Sequence, residues 1–204
     1  MLQLSKQLFA EDKIMPNPRE ERLAADYSDM LKIQNRPYCT WIVTKGEPPY
    51  AEEYLLEIRL RSYILSATCD RYIVKAADRW MIKVELWDSY PNVAPNIRML
   101  SIPPVFHPDW YSKGTYCSPE QWSPGSSLKD YVKRMIGAVR YDPALINSEY
   151  PANYKALEWF MKNRENDSLF PSDAAELTEN TPEEIEAIEK AILRDDDIID
   201  SWHR

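Results

Sequence analysis

The sequence predicts an α+β domain in which helices lie on one side of an antiparallel sheet. A helical repeat of apolar residues stands near the N-terminus, and several segments rich in β-branched and aromatic residues follow it. Two further helical repeats come after these segments. Strands that succeed one another without intervening helices favour an antiparallel meander with the helices packed on one face. A hydrophobic content of 44% over 204 residues is enough for one packed core.

The first helix is predicted to begin at Asn17. Asparagine is a favoured N-cap residue, Pro18 suits the first turn because its missing N–H costs nothing there, and Glu20 can bond back to the cap. Apolar residues then recur at helical spacing until Pro37 ends the pattern. These residues are Leu23, Tyr27, Met30 and Leu31. Residues 1–16 are predicted to be a loosely held N-terminal arm.

Strand-like composition marks the middle of the chain. The clearest alternation lies in residues 79–87, where Trp80, Ile82 and Val84 share one face with Leu86. Proline-rich turns separate the segments. The predicted strand segments are 38–44, 54–65, 71–74, 79–87 and 97–102. We expect about four strands in the sheet.

Helical periodicity returns after residue 126. Ser127 is a plausible cap for an apolar stripe that runs to Val139, and residues 150–163 read as another helix. Residues 164–180 are predicted to be a linker. Residues 181–204 are predicted to form an acidic C-terminal helix and tail, with a helix start at Thr181. We expect this helix to dock on the body of the protein, with binding to a partner as the alternative.

Charge and composition exclude several classes of function. The net charge is −8, and residues 165–204 alone carry 13 acidic and 3 basic residues, so the first 164 residues sum to +2. This distribution disfavours nucleic-acid binding, which needs a basic face. No apolar run approaches the roughly 18 residues of a membrane span, and the N-terminus lacks the order of a signal peptide. Two histidines leave little for a metal site, and no cofactor motif is present.

The number and spacing of the cysteines indicate a cytoplasmic protein, and one of them, Cys117, is a candidate reactive thiol. Cys39, Cys69 and Cys117 form no CxxC motif and are odd in number, so a disulfide framework is not expected. Cys39 and Cys69 are interpreted as ordinary thiols. Cys117 lies in HPDWYSKGTYCSPEQWSP, residues 107–124, among glycine, proline and serine. Such a loop suits an exposed nucleophile, although free cysteines are more often buried.

The order of motifs around Cys117 resembles that of ubiquitin-conjugating enzymes, over residues 17–163. That family has a Tyr-Pro turn before a strand, then His-Pro-Asn, and a catalytic cysteine ten residues after the histidine. A Trp-Ser-Pro-Ala segment and a helix follow its cysteine. The matching residues are Tyr90-Pro91, Ala94-Pro95, His107-Pro108-Asp109, Gly114, Cys117 and Trp122-Ser123-Pro124-Gly125.

The resemblance implies a ubiquitin-conjugating-enzyme-like fold and a specific chemistry. Cys117 would carry a ubiquitin-like protein as a thioester and pass it to a lysine amine. His107 would be mainly structural. Asp109 replaces the family asparagine and cannot donate a hydrogen bond to an oxyanion unless it is protonated, so it would instead orient or deprotonate the lysine, or another donor would compensate. The gap between Cys117 and Trp122 is also shorter than is usual in the family, which suggests a divergent or prokaryotic pathway.

The resemblance also implies partners and leaves two other functions open. An activating enzyme would bind Arg19 and Arg22, and the ubiquitin-like protein would be carried on Cys117. A ligase, where one is needed, would contact Val93, Ala94, Pro95, Ser123 and Pro124. The first alternative is an inactive scaffold of the same fold that binds ubiquitin-like proteins or ligases. The second is a cysteine hydrolase, which would need Cys117 and His107 within about 3 Å of each other.

Overall fold

The computed structural model describes residues 17–67, 69, 71–170 and 177–192. The predicted arm at 1–16, the end of the tail at 193–204 and residues 171–176 of the predicted linker lie outside these residues. The helices are α1 (Pro18–Met30), α2 (Leu128–Val139), α3 (Tyr154–Asn163) and α4 (Pro182–Ile192), with short 3-10 turns at Leu31–Ile33 and Pro143–Leu145. The strands are β1 (Cys39–Lys45), β2 (Glu53–Ile58), β3 (Ser62–Ala67), β4 (Tyr72–Ala77), β5 (Trp80–Glu85) and β6 (Asn96–Met99).

Helix α1 begins as the sequence predicts. The side chain of Asn17 accepts a hydrogen bond from the N–H of Glu20, and the Glu20 carboxylate accepts one from the N–H of Asn17. This reciprocal pair satisfies donors that a helix N-terminus leaves free. Leu23, Tyr27 and Met30 are buried, so the helix lies on the core with one face.

The central sheet has four antiparallel strands in the order β1-β2-β5-β6, which confirms the predicted α+β architecture. The predicted segment 54–65 is two strands, β2 and β3. The indole N–H of Trp80 donates to the carbonyl of Leu60 at 2.9 Å, so the chain between the two strands bends over Trp80 and leaves the sheet. Strands β3 and β4 instead form a separate hairpin.

This hairpin is attached to the loop that precedes His107. The N–H of Phe106 donates to the carbonyl of Tyr63 at 2.7 Å, and Ile64 bridges Val105. Tyr63 also packs in a second apolar cluster, formed by Tyr63, Tyr141, Phe160 and Phe170. The hairpin and α3 therefore join beneath the His107 loop, apart from the main core between the sheet and helices α1 and α2.

The C-terminal segment docks on the body, as we expected. Leu177 and the isoleucine stripe of α4 are half-buried against the main core. Asn180 donates from its side-chain nitrogen to the carbonyls of Leu31 and Gln34, both at 2.7 Å. Glu179 pairs with Lys129 and Lys133 on α2 at 2.9 and 2.8 Å. The segment 177–192 is thus fixed by apolar burial and by charge complementarity.

Candidate functional site

A tight turn sets the course of the loop that carries Cys117. Gly114 has φ +88°, and a Cβ at this position would lie 2.9 Å from the carbonyl oxygen of Met99, so only glycine fits without strain. The Gly114 carbonyl accepts from the N–H of Met99 at 2.7 Å, and the N–H of Tyr116 donates to Ile97 at 3.0 Å. Backbone bonds to β6 therefore hold the chain up to the residue before Cys117.

Cys117 is partly exposed at the end of this turn. Its N–H donates to the carbonyl of Asp109 at 2.8 Å, so a hydrogen bond joins the backbone before the Gly114 turn to the backbone after it. Interaction with the Cys117 thiol raises the pKa of Tyr111. Cys39 is buried, and burial raises its pKa, whereas Cys69 is exposed in the turn between β3 and β4. Cys117 is therefore a partly exposed residue on a backbone that hydrogen bonds hold in place.

His107 lies behind the loop and is fully buried. Its Nδ1 accepts a hydrogen bond from the N–H of Asp109 at 3.0 Å, and its ring packs edge-on against Tyr141 with centroids 4.4 Å apart. Burial lowers the pKa of His107 to about 3, so the ring is neutral. Its Nε2 has no hydrogen-bond partner among the described residues. The Cys117–His107 pair that a hydrolase requires is therefore not formed, and the hydrolase hypothesis is wrong.

Asp109 is 1% exposed. One carboxylate oxygen accepts from the N–H of Asn147 at 3.1 Å, and the other has no hydrogen-bond partner among the described residues. Burial raises the pKa of Asp109 to about 6, and the bond from Asn147 opposes that rise. Close by, the N–H of Asn153 donates to the carbonyl of Pro108 at 2.9 Å. Residues 147–153, ahead of α3, are thus bonded to the turn that supports Cys117.

The segment after Cys117 is anchored by Trp122. Its indole N–H donates to the carbonyl of Pro91 at 2.7 Å, and its ring packs against Tyr90 and Tyr131 with centroids 5.7 and 5.3 Å apart. Trp122 is half-buried against the main core, so it is a packing residue. Its bond to Pro91 brings the loop after Cys117 against the turn between β5 and β6.

The residues proposed to bind partners differ in their exposure. Val93 is 47% exposed, Ser123 and Pro124 are exposed, Ala94 is half-buried and Pro95 is buried. The first three lie on the two loops that Trp122 joins.

The two arginines of α1 both have internal partners. Arg19 pairs with Glu52 at 2.7 Å. Arg22 pairs with Asp26 at 2.7 Å and also donates to Tyr90, Pro124 and Ser126. Its guanidinium therefore serves contacts within the chain.

Sequence reasoning missed Tyr111 and Asn147. Tyr111 stands two residues after Asp109, and a tyrosine in that position is unremarkable until the turn at Gly114 folds it back onto Cys117. Asn147 lies 38 residues from Asp109 and contributes only its backbone N–H. No residue type marks such a contact in a sequence.

Comparison with solved structures shows the fold. The chain is similar to S. cerevisiae Ubc12, with a TM-score of 0.50 and 18% sequence identity, over 85% of this chain and 80% of that chain. No protein-family model and no curated protein matches the sequence. Within the described residues, no helix has both the length and the apolar character to cross a membrane. The protein has a divergent ubiquitin-conjugating-enzyme-like fold.

Proposed function

We propose that this protein accepts a ubiquitin-like protein as a thioester on Cys117 and transfers it to a lysine amine of a target. The observation that carries the proposal is the partly exposed thiol of Cys117 at the end of a loop whose backbone is bonded to β6 and to Asp109. A thiol that must meet two proteins in turn has to be accessible and precisely held.

The chemistry needs little beyond that thiol. In loading, the sulfur of Cys117 attacks the thioester carbonyl presented by an activating enzyme; a new C–S bond forms, the old one breaks, and the proton of Cys117 ends on the departing thiol. In discharge, a lysine amine attacks the same carbonyl, a C–N bond replaces the C–S bond, and the Cys117 thiol is regenerated. Exchange between thiols of similar acidity is close to isoenergetic and requires no strong base.

Asp109 acts in this scheme through position rather than as a donor. It is buried, and above its pKa of about 6 it is ionised and can only accept hydrogen bonds. One of its oxygens accepts from the N–H of Asn147, so Asp109 ties Asn147 to the turn that supports Cys117. The hydroxyl of Tyr111, whose pKa is raised by interaction with the Cys117 thiol, is a donor suited to the oxyanion that forms on the carbonyl.

Partner surfaces follow from the same scheme. Val93, Ser123 and Pro124 form an exposed ligase surface, with Ala94 and Pro95 as its support. The activating enzyme binds the N-terminal half of α1, where Arg19 and Arg22 offer the parts of their side chains that internal contacts leave open. Three free cysteines suit the reducing cytoplasm.

The second candidate is a scaffold of the same fold that binds such proteins without thioester chemistry. The observation in its favour is Asp109 itself, because a buried carboxylate stands where the family has a donor. Binding of a ubiquitin-like protein without any covalent adduct would support this function.

The test mixes the protein with its cognate activating enzyme, ubiquitin-like protein and ATP. We expect an adduct that thiols cleave, that is absent in Cys117→Ala, and that resists thiols in Cys117→Lys. Cys69→Ser is the matched control, because Cys69 is the other exposed thiol among the described cysteines. Lysine discharge should be retained or increased in Asp109→Asn. An adduct that persists in Cys117→Ala, or none with any cognate pair, would reject the transferase.

A further inference from the structure

Arg22 links helix α1 to the segment that follows Cys117. We propose that Arg22 is a positioning residue that holds this segment, residues 118–126, and thereby fixes the surroundings of the thiol. The functional meaning of that position rests on the proposed thioester chemistry, but the physical link does not.

The contacts of Arg22 cross more than one hundred residues of sequence. Its Nη1 donates to the carbonyl of Pro124 and its Nη2 to the carbonyl of Ser126. The same Nη2 donates to the hydroxyl of Tyr90 at 2.9 Å, and Nε donates to Asp26 at 2.7 Å. One guanidinium therefore joins α1, the turn after β5 and the segment after Cys117.

The contacts of the Arg22 guanidinium lie largely away from solvent. The side chain of Arg22 is 18% exposed and that of Asp26 is 5% exposed. The hydroxyl of Tyr90 donates to the same Asp26 oxygen that pairs with Arg22. The guanidinium also lies over the rings of Tyr90 and Trp122, at 5.2 and 5.9 Å from their centroids. Arginine is suited to this place because its planar fork offers several fixed donors, whereas lysine has one nitrogen.

The held segment has few other constraints. It contains no helix or strand. Its internal bonds are one at its start, from the N–H of Glu120 to Ser118 Oγ at 3.2 Å, and those of the turn at its end, such as that from the N–H of Ser126 to the carbonyl of Ser123 at 2.9 Å. Outside that turn, Trp122 binds Pro91 and Glu120 pairs with Arg134. Removal of the two bonds from Arg22 would leave the carbonyls of Pro124 and Ser126 without their link to α1.

The experiment compares Arg22→Lys with Arg19→Lys in a Cys69→Ser background. Arg19 is the matched control because it lies on the same helix and pairs internally with Glu52, without contact to residues 118–126. Two quantities are measured on the protein alone: amide hydrogen exchange, peptide by peptide, and the rate at which iodoacetamide alkylates Cys117. Neither measurement needs an activating enzyme.

We expect Arg22→Lys to raise exchange in the peptide spanning 118–126 about tenfold. Alkylation of Cys117 should become about threefold faster because the thiol is less shielded. Arg19→Lys should leave both quantities at their original values. Unchanged exchange in 118–126, or a rise spread evenly over every peptide, would overturn the proposal. If the unmodified protein forms no thioester, the proposed function is rejected. The hydrogen-exchange and alkylation results do not depend on that outcome.

Discussion

The buried carboxyl of Asp109 should give the stability of the protein a distinctive dependence on pH. Its pKa rises from 3.8 to about 6 on folding, because burial disfavours the charged form. Folding therefore binds a proton more tightly at Asp109, so its stabilising effect is full below pH 3.8 and is lost as the pH rises through 6. A shift of about two pH units corresponds to about 3 kcal/mol.

Asp109→Asn isolates this effect. Asparagine keeps the shape and can still accept the N–H of Asn147, but it does not titrate. The free energy of unfolding of the original protein minus that of the variant should grow by about 1.4 kcal/mol per pH unit as the pH falls from 6 to 4. It should be constant above pH 7. The neighbouring His107 acts in the opposite direction, since its pKa is lowered to about 3 and stability is lost below pH 6.5. The variant should therefore be the more acid-sensitive protein.

Urea unfolding, followed by tryptophan fluorescence at half-unit steps from pH 4 to 7.5, measures this difference. Asp167→Asn is the control for the loss of one negative charge, because Asp167 is exposed. A difference that stays flat between pH 4 and 6 would refute the reasoning, since it would mean that Asp109 titrates alike in the folded and unfolded chains.

Two other substitutions test the supports of the site and of the C-terminal segment. Gly114→Ala should lower the free energy of unfolding by about 1–3 kcal/mol and slow any adduct formation on Cys117, because its Cβ would crowd the carbonyl of Met99 at a positive φ. Urea unfolding checks the first effect, and Gly125→Ala, where a Cβ meets open space, is its control. Asn180→Ala should cost about 2–3 kcal/mol, because it removes the two bonds to the carbonyls of Leu31 and Gln34 and the bond that Asn180 Oδ1 accepts from Arg36. A loss no larger than that of Asn163→Ala, which removes a single bond, would contradict this expectation.

The helices were predicted well because caps and helical periodicity depend on residues that are close together in the sequence. The capping box at Asn17 and Glu20 is visible in the sequence and is present in the structure. Strand boundaries were harder, since the break between β2 and β3 depends on Trp80, which lies some twenty residues further along the chain. A run that looks continuous locally is divided by a tertiary contact.

The candidate site divides in the same way. The composition of its loop drew attention to Cys117, and the resemblance to ubiquitin-conjugating enzymes added His107 and Asp109. In the structure, backbone bonds join all three in one loop. The internal contacts of Arg22 were not predictable, because the sequence does not distinguish an arginine that faces solvent from one that pairs with a buried aspartate. Only packing brought Tyr90, Pro124 and Ser126 to its guanidinium.

The energetic cost of burying Asp109 falls on the loop that supports Cys117. An ionised, buried carboxylate with one oxygen unpartnered among the described residues is destabilising at neutral pH, and a neutral side chain would avoid that penalty. Asp109 is bonded to the N–H groups of Cys117 and Asn147 and to Nδ1 of His107, so the penalty falls on the backbone that supports Cys117. The cost is the same for a transferase and for a scaffold, and formation of the thiol-sensitive adduct on Cys117 decides between the two functions.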